Sequence, residues 1–257
     1  MESNRLKAKL FAGEPVFGVS IMFPSPQIIE IVGRLGFDWV LIDCEHGAIS
    51  VESVELMALA AERVGITAIA RPLSNNKQTI MQLMDRGISG VQIPHVNTVD
   101  DALRAVEAVK FYPDGDRGLA AGTRAANYGI GVSQDEHTER ANRETLVCVQ
   151  IEEQLALDNL DEILQVEGVD VFFVGPSDLS QSLGYPGQKS APPVKKAIET
   201  ALRKIAGAGK ISGSAGDTDA IRGYLDQSVK YLYTHVPTLL SNSGKEFFEK
   251  VGQGKPL

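Results

Sequence analysis

Cysteine is scarce in this sequence: Cys44 and Cys148 are the only two among 257 residues, which excludes a framework of several disulfides. Each lies in or beside an apolar run, and this predicts two buried free thiols in a reducing compartment. No apolar run approaches the roughly 18 residues that a membrane span needs, and the opening MESNRLKAKLF lacks the apolar core of a signal peptide. The expectation is a cytoplasmic protein with no membrane partner. Positive charge is also in deficit. With 25 Lys and Arg against 33 Asp and Glu, the formal net charge is −8, which argues against nucleic acid as a partner. An anionic substrate would need a local cluster of cations. Several catalytic signatures are missing as well. No Gly-x-Gly-x-x-Gly follows the first apolar run, and neither His-x-His nor His-Glu-x-x-His occurs, which counts against a dinucleotide fold and a histidine-ligated zinc hydrolase. No lysine falls at an interior strand position, so a Schiff-base mechanism lacks its nucleophile.

What the sequence does contain is a regular alternation. Strand-like runs cover residues 16–21, 37–43, 66–71, 90–94, 146–152, 169–175, 210–213 and 230–234. Most are almost wholly apolar, as expected of parallel strands covered on both faces. Helical stretches with their own punctuation lie between them. Ser25 precedes Pro26, Ser50 precedes an apolar pattern at 54, 57, 58, 61 and 64, Thr98 precedes Asp100 and Asp101, and Asp217 with Thr218 opens another. Eight strands alternating with helices in a chain of this length read as a single-domain (β/α)8 TIM barrel spanning residues 1–257. One stretch breaks the rhythm: residues 111–130 are rich in Gly and Ala and carry Arg117 and Arg124. His137, beyond that loop, reads as a solvated side chain, and the single tryptophan, Trp39, reads as core.

In a barrel of this kind, the C-terminal strand ends carry the chemistry. Those ends hold Asp43-Cys44-Glu45-His46, Arg71, His95, Gln150 with Glu152, Ser177 with Asp178, and His235. Residues two apart on a strand share a face, so Gln150 and Glu152 point the same way. Glu152 and Asp178 end adjacent strands, and two carboxylates with room for water suit Mg²⁺ or Mn²⁺ better than zinc. An alternative stands beside this: Glu152 begins a helix and Asp178 caps a turn. Asp43 can hold the His46 imidazole in one tautomer for general-base work, or His46 is simply a histidine at a strand end. Arg71 can stabilise an oxyanion, or form a buried ion pair with Glu45. The amides of Ser177 and Asp178 can meet an anion, Pro176 having none.

The segments FDWVLIDCEHG, ARPLSNN, QLMDRGISGVQIPHV, YPDGDRG, VQIE and EGVDVFFVGPSDLSQSLGYPG resemble the HpcH/HpaI aldolase family over roughly residues 14–210. The resemblance implies a metal-dependent class II pyruvate aldolase that cleaves 4-hydroxy-2-oxo acids to pyruvate and an aldehyde. It implies Glu152 and Asp178 as ligands of a divalent ion (Mg²⁺, Mn²⁺ or Co²⁺), His46 as general base with Asp43 as its partner, and Arg71 as the enolate-stabilising group. Gln150 and Glu45 match supporting positions, and Ser177 and Asp178 match those whose amides bind the pyruvate carboxylate. The implied assembly is a homo-oligomer, a hexamer built as a trimer of dimers. In it, Asp85 supports a site near the subunit interface and Arg124 reaches a second-substrate carboxylate there. The chain departs from the pattern in residues 213–217, GSAGD, and 231–240, YLYTHVPTLL, the segments after strands seven and eight. Related enolate enzymes, an oxaloacetate decarboxylase or a CoA-ester lyase, are the competing activities. A barrel that has lost catalysis and serves as a binding protein is the competing class, and its mark would be a broken rim.

Overall fold

A computed structural model of the chain describes residues 3–252. Its eight strands are β1 (Val16–Ile21), β2 (Trp39–Asp43), β3 (Thr67–Arg71), β4 (Gly90–Ile93), β5 (Leu146–Ile151), β6 (Val171–Val174), β7 (Ile211–Ala215) and β8 (Tyr231–His235). They pair in parallel and in sequence order, and β8 closes on β1, giving the expected barrel. The caps expected from sequence form. Ser25, Ser50 and Asp217 accept bonds from the amides of Ile28, Ser53 and Ala220, and Thr98 makes a reciprocal capping box with Asp101. No helix among the described residues is long and apolar enough to cross a membrane.

The pleat divides the strand side chains into two cores. Val16, Trp39, Leu41, Ile69, Leu146, Cys148, Val171, Phe173, Tyr231 and Tyr233 point inward, and Leu6 and Leu10 of the first helix join them. Their immediate neighbours in sequence, such as Val40, Ala68, Val149 and Phe172, point outward against the helices. Inside, Trp39 stacks on Tyr231 at 4.2 Å between ring centroids and Phe173 stacks on Tyr233 at 5.2 Å. Gly18 makes room for this. A Cβ there would lie 2.3 Å from the Trp39 ring.

Strand ends differ from the sequence reading by a few residues, for local reasons. β2 starts at Trp39 because the Asp38 carboxylate turns to accept the Phe17 amide at 2.8 Å, and Asp170 does the same for Val147 ahead of β6. β7 runs on to Ala215, two residues past the expected end. Both cysteines are free, Cys148 buried and Cys44 half-buried. His137 corrects the sequence reading: it is buried on the helix Gln134–Glu144, edge-on to Phe111 at 5.5 Å, because the turn after residue 110 folds back over that helix. The irregular stretch is likewise ordered. Arg117 is buried beneath it, donates to Asp85 at 2.7 Å and stacks over Phe111 at 4.6 Å.

Candidate active site

Extending the inward register of each strand to its C-terminal end places Ser20, Asp43, Arg71, Gln92, Gln150, Glu152, Gly175, Ala215 and His235 around one mouth. The arc from β2 to β5 is ionic and tightly bonded. Arg71 donates from Nε to Asp43 Oδ1 at 3.0 Å and from Nη2 to Asp43 Oδ2 at 2.6 Å, a two-pronged pair that is almost fully buried. Glu45 lies 3.2 Å from the same Nε. The remaining terminal nitrogen, Nη1, makes one long bond of 3.5 Å to Gln150 Oε1. That oxygen also accepts from Gln92 Nε2, and Gln150 Nε2 donates to Glu152 Oε2 at 2.5 Å. A continuous relay thus runs from Asp43 through Arg71 and Gln150 to Glu152.

The charges follow from this bonding. Burial alone would raise the Asp43 carboxyl, but the hydrogen bonds and charge of Arg71 outweigh it and hold Asp43 below the usual carboxylate range. Arg71 in turn is held more firmly protonated, against its burial, by Asp43. Glu45 is raised by burial despite the nearby Arg71, His46 and His95. Glu152 is the most perturbed carboxyl. Burial, with the charge of Asp178 adding to it, pushes its carboxyl up to about 7, and the His95 amide bonded to it at 2.9 Å only partly opposes this.

The charge of Asp178 reaches Glu152, whose nearest imidazole nitrogen is His95 Nδ1 at 3.6 Å. Glu152 stands just beyond β5, and the half-buried Asp178 lies in the first turn of the helix Pro176–Ser182 after β6. Gly175 allows the approach: a Cβ at that position would fall 2.7 Å from Glu152 Oε2. Among the described residues no group of three or more His, Cys, Asp and Glu side chains is arranged to hold a metal. The residues fit a divalent ion bound by two carboxylates, with its other positions left to water and substrate oxygens. Both expected ligands thus stand at the C-terminal ends of the adjacent strands β5 and β6.

One expected contact does not form. Asp43 spends both oxygens on Arg71 and on the backbone amides of Glu45 and His46, so it accepts from the main chain of His46 and not from its ring. The carboxylate near the half-exposed His46 imidazole is Glu45, 3.8 Å from Nε2. The alternative pairing of Arg71 with Glu45 is present, but as a second partner beside Asp43. Ser177 is exposed, and its amide and that of Asp178 lie in the first helical turn, where no intrahelical acceptor exists. Asp85 and Arg124 stand apart from the mouth. Asp85 is committed to Arg117, while Arg124 pairs with Glu62 and lines a cavity of about 390 Å³ with Asn4, Thr67 and Ser89, at the opposite end of the barrel.

Two participants had no role assigned from sequence: Gln92, which was not named, and His95, which was placed only at the rim. Gln92 is a polar residue at an inward position of an otherwise apolar strand, a signal that was available. His95 joins Glu45 at 3.2 Å, Glu152 at 3.6 Å and Glu153 at 2.9 Å, and its backbone is left-handed with φ 55°. Its partners lie 50 to 58 residues away, so no short spacing marks it.

A family model described as HpcH/HpaI aldolase/citrate lyase matches residues 19–232. The chain belongs to the HpcH/HpaI aldolase/citrate lyase family. It is 38% identical over 221 residues to a hydroxypyruvate/pyruvate aldolase of Sagittula stellata, covering 86% of each chain. It is also 38% identical over 212 residues to a 2-keto-3-deoxy-L-rhamnonate aldolase of Escherichia coli, covering 82% of this chain and 78% of that one. The fold superposes on the crystal structure of an HpcH/HpaI aldolase/citrate lyase family protein from Burkholderia cenocepacia with a TM-score of 0.91 and 29% identity, over 97% and 99% of the two chains. As a member of this family, the chain is a carbon–carbon lyase of the aldolase kind. The family's metal-dependent chemistry supports a divalent ion as its cofactor.

Proposed function

We propose that this enzyme cleaves 4-hydroxy-2-oxo acids reversibly to pyruvate and an aldehyde, with Glu152 and Asp178 holding a divalent ion. The observation that supports the reading is the relay from Asp43 through Arg71 and Gln150 to Glu152, which links a fixed guanidinium to a buried carboxyl at the same mouth. An ion bound there supplies Lewis-acid polarisation of the 2-oxo group. The amides of Ser177 and Asp178 receive the substrate carboxylate. His46, half-exposed at the mouth, takes the proton of the 4-hydroxyl as the C3–C4 bond breaks. The electron pair of that bond passes to the pyruvate enolate, whose oxygen meets Arg71 Nη1, the terminal nitrogen with the weakest bond inside the protein, and protonation of the enolate at C3 then gives pyruvate. Asp43 keeps Arg71 in place, and Glu45 orients His46. Aldol addition runs the same steps backwards.

Asp85 and Arg124 lie away from the mouth, so their contribution in this reading is made to a neighbouring subunit of a homo-oligomer, a trimer of dimers. The decisive experiment is pyruvate release from a panel of 4-hydroxy-2-oxo acids with Mg²⁺, Mn²⁺ or Co²⁺. Activity should vanish in EDTA and in Glu152→Ala and Asp178→Ala, whereas full activity in EDTA refutes the reading. Light scattering under assay conditions tests the assembly, and a fully active monomer removes the shared site.

A further inference from the structure

The mouth of the barrel has two unlike halves. From β2 to β5 every inward position at the rim carries a polar or charged side chain bonded to its neighbours. From β6 round to β1 the inward positions are Gly175, Ala215, His235 and Ser20. Three of these are small, and His235 is the one large side chain among them. The inward direction of His235 follows from Tyr231 and Tyr233, two and four residues earlier on β8, which both lie in the inner core. Its ring meets Tyr233 edge-on at 5.5 Å and 80°, and it is half-buried. Ser20, its register partner on β1, is fully buried. Among the described residues the His235 ring has no hydrogen-bond partner.

We propose that His235 is the specificity-determining residue for the aldehyde half of the substrate, hydrogen-bonding a hydroxyl on the carbon next to the aldehyde. The inference rests on the aldolase reading, in which Arg71, Glu152, Ser177 and Asp178 take the pyruvate half along β3 to β6. The rest of the substrate then extends toward the half with the small side chains, where His235 stands. Burial, with the Lys189 and Arg71 cations, pushes the imidazole below its ordinary value, so at neutral pH it offers one donor and one acceptor. A hydroxyl can use either. The subsite therefore selects hydroxyaldehydes over hydrocarbon aldehydes of the same size.

Glycolaldehyde and propanal differ only by a hydroxyl in place of a methyl group, and their kcat/KM values for addition to pyruvate read the preference directly. His235→Leu should lower the value for glycolaldehyde about tenfold, the loss expected for one hydrogen bond in a sheltered site, and leave propanal within about twofold. His235→Ala, which adds no volume, should give the same ratio should the leucine variant fail to fold, and His235→Gln should recover most of the preference. Hydrogen–deuterium exchange at C3 of pyruvate, followed by NMR without aldehyde, separates the two readings. Wild-type protein without exchange overturns the aldolase reading itself. Exchange intact in every variant, with glycolaldehyde and propanal losing equally or neither changing, overturns the role of His235. Exchange lost only in the His235 variants also overturns it, by moving the residue into the enolisation step.

Discussion

The Glu152 carboxyl offers the sharpest test, because its charge state links stability, pH and metal binding in one group. In metal-free protein its value lies at about 7 against an ordinary 4.5, a difference of roughly 3 kcal/mol between its protonated and ionised forms. The folded value exceeds the unfolded one, so the folded protein holds this proton more tightly. The corresponding stability is fully present below about pH 4.5, erodes as pH rises, and is gone above about pH 8. Glu152→Gln removes the titration and keeps an oxygen for the His95 amide, though its NH₂ then faces Gln150 Nε2. In EDTA at pH 8 the variant should be more stable than wild type by up to about 3 kcal/mol, or some 5–10 °C in Tm for a domain of this size. At pH 5 the gap should shrink to about 1 kcal/mol. Adding Mn²⁺ should reverse the order at pH 8 by stabilising wild type alone. Calorimetry in buffers of different ionisation enthalpy should show Mn²⁺ releasing more protons at pH 6 than at pH 8. A stability difference that is the same at pH 5 and pH 8 refutes the argument, as does Mn²⁺ stabilising the variant equally.

Two further outcomes follow from close approaches to glycine. Gly175→Ala changes no ligand yet sets a Cβ 2.7 Å from Glu152 Oε2, so Mn²⁺ affinity should fall about 10–100-fold while circular dichroism stays native. Unchanged affinity would show that Glu152 can move without cost. Gly18→Ala places a Cβ 2.3 Å from the Trp39 ring inside the barrel, and overpacking of about 1–3 kcal/mol should appear in urea denaturation. The single tryptophan reports the same change by fluorescence, and an unaltered midpoint and spectrum would show that the stack on Tyr231 yields freely.

Barrel closure, strand order and helix caps were legible because their signals are local. Apolar runs, Ser, Thr or Asp ahead of a helix, and glycine after one are set by steric and hydrogen-bonding demands within a few residues. The rim was legible for the same reason: once the strand ends are located, Asp43, Arg71, Gln150, Glu152 and Asp178 are placed by counting. The partner of each group was not, since partners come from different strands and depend on barrel register and loop geometry. Asp43 faces Arg71 rather than the His46 ring, although His46 is three residues away and Arg71 is 28. His95 reaches Glu45, Glu152 and Glu153 only because its left-handed backbone turns it back over the mouth. His137 is buried because the segment after residue 110 closes over its helix. The sequence by itself determined an eight-stranded barrel with acids, an arginine and histidines at one end. Tertiary structure alone decided which charges neutralise one another and which side chains stand next to one another around the mouth, because those outcomes depend on distances between residues that no local pattern relates.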